Sequence, residues 1–99
     1  LSPLDHGEKH RGAIRTRLNL EPMIKIQRRV AHQNGCAFYS LFDAMGGEGT
    51  MGRWARSKPR LVGGDLTHVS KYGARILGAL IYKALMSGFK GHLDREARR

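Results

Sequence analysis

Gly63-Gly64-Asp65-Leu66-Thr67-His68-Val69-Ser70 is the stretch whose reading decides both fold and function. Two glycines give a flexible approach, then a carboxylate and an imidazole follow three residues apart, and Ser70 stands ready to cap a helix. On a tight turn or a first helical turn, side chains at that spacing lie on the same side. Asp65 can then accept a hydrogen bond from one ring nitrogen of His68 and fix its tautomer. The other nitrogen is left to take a proton from a nucleophile, which is the orienter-and-base half of a Ser-His-Asp triad.

Downstream of this stretch, Ile76, Leu77, Leu80, Ile81, Ala84 and Leu85 recur as adjacent pairs every four residues. That period predicts an amphipathic helix from Ser70 to Ser87, ended by Gly88 and followed by a charged tail. Upstream, Met23, Ile24, Ile26, Val30 and Ala31 predict a helix over residues 21–33, with Pro22 in its first turn and Asn34-Gly35 at its end. Cys36 to Phe42 is short, apolar and aromatic, which predicts a strand covered on both faces of a parallel sheet. Asp43 then falls at a strand's carboxyl end, where it is an alternative orienter for the base. Leu1 to Asp5 reads as a strand running into a loop, and residues 6–18 as a basic excursion without periodicity.

The block from Lys58 to Arg75 resembles the last conserved segment of the SGNH (GDSL-type) hydrolases, in which an Asp-x-x-His pair precedes the final helix. Ala44-Met45-Gly46-Gly47 followed by Trp54 resembles the branch of that family acting on acetylated carbohydrates, including peptidoglycan. The similarity runs from about Ser2 to Met86. It implies a three-layer α/β/α sandwich with a parallel sheet, of which this chain is the C-terminal portion, incomplete alone. It implies a serine esterase removing acyl groups, acetyl first among them, from a carbohydrate. Asp65 and His68 take the catalytic positions, Met45, Gly46, Gly47 and Trp54 the substrate-binding ones, and a periplasmic or secreted location follows.

The family's Gly-Asp-Ser nucleophile block, its Gly block and its Gly-x-Asn block do not occur here. Ser2, Ser40, Ser57, Ser70 and Ser87 lie in none of those contexts. The expected partners are therefore the missing N-terminal half of the same domain, bearing the serine, and an acylated carbohydrate. For Trp54, stacking on a sugar and seating a loop on the core are both open.

Composition narrows the rest. The formal charge is +10, from 18 Lys and Arg against 8 Asp and Glu, but the basic residues are dispersed and carry no nucleic-acid-binding motif. That makes nucleic acid a poor partner, with a basic non-catalytic binding module or a degenerate hydrolase as the alternatives to an esterase. The single Cys36 forbids an internal disulfide, and in its apolar run it reads as a buried, inert thiol. His6, His10, His32, His68 and His92 are scattered, so no metal or other cofactor is expected. No apolar run approaches the ~20 residues of a membrane span.

Overall fold

The computed structural model describes residues 1–99. Strands β1 (Gly7–His10) and β2 (Ala13–Thr16) form an antiparallel hairpin, and four helices follow: α1 (Leu20–Gln33), α2 (Leu41–Met45), α3 (Thr50–Ala55) and α4 (Lys71–Ala97). The hairpin occupies the segment expected to be an irregular excursion. Its two-residue turn places Arg11 and Gly12 at φ 51° and 80°, a combination that matches strand twist. Thr16 then accepts a hydrogen bond from the Gly49 N–H at 2.8 Å, which ties the hairpin to the loop before α3.

Helix α1 ends as its sequence predicts. Gly35 takes φ 70°, and the Gly35 and Cys36 N–H groups reach back to His32 and Ala31, satisfying carbonyls that would otherwise be orphaned. The expected strand over 36–42 is not formed. Residues 36–40 carry no ladder, and Leu41 and Phe42 open α2 instead. Ser40 is the reason: its hydroxyl accepts the Asp43 N–H at 3.2 Å, and Asp43 itself sits in the first helical turn, where a carboxylate is favourable. Cys36, expected to be buried, is exposed.

Helix α4 runs past Gly88 to Ala97. Gly88 and Gly91 each cost roughly 1 kcal/mol relative to Ala, and good helix formers such as Lys90, Glu96 and Ala97 carry the helix on. At about 1.5 Å per residue its 27 residues extend about 40 Å. The helix starts where Ser70 caps it, accepting the Gly73 N–H at 3.3 Å. Gly73 is required there, because a Cβ at this position would run into the carbonyl oxygen of Leu61.

The main core gathers Leu41, Met45, Met51, Trp54, Val62 and Leu77 between α2, α3 and the start of α4; a second holds Leu20, Ile24 and Phe42. These cores leave much uncovered. The accessible surface is 7010 Å², where a compact monomer of this mass has about 5,700 Å². The radius of gyration is 15.9 Å, against about 12.6 Å for a compact chain of this length. The excess is apolar: Met23, Ile26 and Val30 on α1, and Tyr82, Leu85, Phe89 and Leu93 on α4, are between 41% and 67% exposed.

The parallel sheet expected from the resemblance is not present among these residues; the chain's one sheet is the hairpin. Residues 1–5 and 36–40 lie outside any ladder, and one backbone bond, Ser2 N–H to the Tyr39 carbonyl at 2.9 Å, joins them.

The close approach at Gly73 yields a paired expectation. Gly73→Ala lowers stability by about 1–3 kcal/mol through overpacking against backbone. Gly78→Ala, in the same helix with nothing within 4 Å of a Cβ, raises it by up to about 1 kcal/mol. Urea unfolding of the two variants beside the parent chain measures both signs.

Candidate active site

The acid and base stand on a closed loop. Val62 and Val69 form an antiparallel bridge at its neck. Inside that bridge, the Gly63 N–H donates to the His68 carbonyl at 2.7 Å; outside it, the Ser70 N–H donates to the Leu61 carbonyl at 3.0 Å. Arg60 braces the entering arm, its Nε donating to the Val62 carbonyl at 2.8 Å. The Ser70 hydroxyl donates to the Arg60 carbonyl at 2.7 Å, so the helix cap and the loop share one residue. Val62 is 1% exposed and Leu66 6%, so a side chain at the neck and another at the tip are rooted in the interior.

Asp65 folds back over the turn it starts. Its Oδ1 accepts the backbone N–H groups of Thr67 and His68, both at 3.0 Å. Its Oδ2 lies 2.5 Å from His68 Nδ1. An ionised carboxylate only accepts, so Nδ1 carries a proton, and in the neutral ring the lone pair is on Nε2. The His68 side chain is 85% exposed, and Asp65 is its one side-chain hydrogen-bond partner. The arrangement therefore presents an oriented imidazole base outward, able to accept a proton from a hydroxyl or a water brought to it.

The charge of Asp65 is secured by the same contacts. The His68 imidazole, and after it the backbone N–H groups of His68 and Thr67, hold the Asp65 carboxyl well below the usual carboxylate range. Hydrogen bonds to the charged form have that effect, since each is weakened when the carboxyl takes a proton.

The other expected site residues are placed differently. Met45 and Trp54 are each 8% exposed within the core, so neither offers a face to a sugar, and Trp54 seats α3 on the core. Gly46 and Gly47 are nearer the surface in a pinned turn: Arg53 donates to the Gly46 carbonyl at 3.1 Å, and the Thr50 hydroxyl to the Gly47 carbonyl at 2.6 Å. Asp43, the alternative orienter, sits in α2 and pairs with Arg28 at 3.4 Å. Neither Asp65 nor His68 lines any of the four cavities; the largest, 650 Å³, is an apolar groove between α4 and residues 37–39. No three His, Cys, Asp or Glu side chains converge as a metal site would require.

Two residues that the sequence reading left aside are integral to the framework. Asp5 is fully buried and accepts the Met51 N–H at 2.9 Å near the start of α3. Leu66, between acid and base, takes a left-handed backbone at φ 58°. A Leu in an ordinary pattern carries no mark of that conformation, so no signal could have found it. Searches with protein-family models, among curated proteins and among solved structures return no match to this chain.

The dyad has a pH signature. Asp65 has a lowered folded-state value, so the stability it contributes is complete above its unfolded value of about 3.9 and is lost progressively as pH falls from there through the lower folded one. A carboxyl ¹³C titration should show Asp65 still ionised below pH ~3.9, the ordinary value of a free Asp side chain. An Asp65 resonance titrating at that ordinary value contradicts the contact.

Proposed function

We propose that Asp65 and His68 are the orienting acid and the general base of a serine esterase of the SGNH type. The chain is the C-terminal portion of its three-layer α/β/α domain, and the substrate is an acylated, specifically acetylated, carbohydrate. The observation that carries this reading is the 2.5 Å contact between Asp65 Oδ2 and His68 Nδ1, made on a loop that leaves the His68 side chain 85% exposed.

The serine comes from a segment outside these 99 residues. Within them, the Ser70 hydroxyl is engaged as a helix cap, Ser40 caps α2, and Ser2 is buried against Pro3. What supports an incomplete domain is the excess apolar surface on α1 and α4, together with the two extended segments joined by one hydrogen bond. A sheet placed between those helices is the element that covers both.

In the proposed reaction His68 Nε2 takes the serine proton as the hydroxyl oxygen attacks the ester carbonyl. Asp65 holds the imidazole tautomer and stabilises the cation that forms. The imidazolium then gives its proton to the departing sugar oxygen, leaving an acyl-serine. Water attacks that ester with His68 again as base, releasing the carboxylic acid and the free serine. Oxyanion donors belong to the segment that brings the serine.

An aryl-acetate assay tests this reading. The isolated 99-residue chain shows no turnover above background, and the protein joining it to a Gly-Asp-Ser block does turn over. In that protein His68→Ala removes almost all activity, because triad members act as a unit. Asp65→Asn costs orders of magnitude in kcat but less than His68→Ala, through the wrong tautomer. Full activity with His68 replaced contradicts the assignment.

A further inference from the structure

An exposed acid–base pair does not hold itself together. Side-chain entropy and water competition leave exposed ion pairs little net attraction, and here the side chains are 51% and 85% exposed. The loop backbone must impose the contact, and its least ordinary point is Leu66. L-residues other than Asn and Asp avoid left-handed backbone, and they persist in it only where the surroundings over-determine them. The other non-glycine case, Arg11, is an exposed hairpin-turn residue. Leu66 is 6% exposed and lies between Asp65 and His68.

Leu66 is fixed at three points. Its N–H donates to the Gly63 carbonyl at 3.1 Å, and its carbonyl accepts the Gly7 N–H at 2.9 Å. Its side chain lies under β1: a Cβ added at Gly7 would sit 3.1 Å from the Leu66 Cβ, and equally close to Ile14 and Met51. With Leu66 so held, the chain reverses sharply after Asp65. The Thr67 and His68 N–H groups then point back at Asp65 Oδ1, and the imidazole is laid beside Oδ2.

We propose that Leu66 is a positioning residue of the dyad: seated beneath Gly7 of the hairpin, it fixes the left-handed turn that keeps Asp65 and His68 in contact. The hairpin is then part of the catalytic scaffold. This inference rests on reading Asp65 and His68 as orienter and base, but its test needs no turnover.

The test is NMR on the 99-residue chain, reading the His68 ring tautomer from ¹⁵N shifts and the Asp65 carboxyl from its ¹³C titration. Leu66→Ala removes the anchor and keeps the left-handed penalty. Leu66→Gly removes the anchor and abolishes the penalty. Gly7→Ala keeps Leu66 and pushes the hairpin off it. Leu41→Ala is the control, a core residue of α2 that is 5% exposed.

In the parent chain His68 is held as the Nδ1–H tautomer. In all three loop variants it relaxes to the tautomer mixture of a free imidazole, and Asp65 titrates near the ordinary ~3.9. Leu41→Ala lowers the melting temperature and leaves both dyad signals in place. Parent-like dyad signals in the Leu66 variants overturn the proposal, as does their equal loss in Leu41→Ala. Should both Leu66 variants unfold, Gly7→Ala decides: a folded spectrum with the dyad unchanged overturns it. An intact dyad in a serine-bearing protein without esterase activity overturns the proposed function and leaves Leu66's role standing.

Discussion

The Asp65–His68 contact depends on a loop held from outside itself. A surface carboxylate and imidazole do not stay paired by mutual attraction alone. The bridge between Val62 and Val69, the burial of Leu66 and the hydrogen bond from Gly7 make the pairing a property of the backbone. Helix α4 is part of the same construction, since Ser70 both caps it and ties the loop to Arg60, and Gly73 lets its first turn close against Leu61. The result is a rigid mount for an exposed base, on a chain whose helices are otherwise only half covered.

That contrast bears on function. An imidazole that is oriented by a carboxylate and open to solvent is suited to the base role proposed for it. The apolar faces of α1 and α4, and the groove lined by Phe38, Tyr39 and Phe89, are where the proposed further structure would pack. The proposed serine-bearing segment would account for both the uncovered faces and the unused ring nitrogen.

The Asp65–His68 spacing, helix α1 and the start of α4 were plain in the sequence, because an i, i+3 pair and a 3.6-residue period are local properties. Asn34-Gly35 marked the end of α1 and Ser70 the start of α4, whereas Gly88 was a false stop for a helix that runs to Ala97. The hairpin was hidden because its strands have few apolar residues and its turn is Arg11-Gly12 rather than the usual Asn-Gly. Cys36–Phe42 has the apolar content of a strand, but the Ser40–Asp43 capping pattern within reach of it turns Leu41 and Phe42 into the start of α2. Trp54 and Met45 lie in the core, since the long-range packing of α2, α3 and α4 decides which apolar side chains a loop shows. The left-handed state of Leu66 is a tertiary outcome, set by a glycine 59 positions earlier in the chain.

Whether His68 is the base for a serine nucleophile is decided by the structure of the serine-bearing protein after labelling with a fluorophosphonate, which bonds covalently to an activated serine. His68 Nε2 is expected within about 2.6–3.2 Å of the labelled serine oxygen, with Asp65 still on Nδ1. A label on a serine remote from His68, or an activated serine served by another base, would contradict that role.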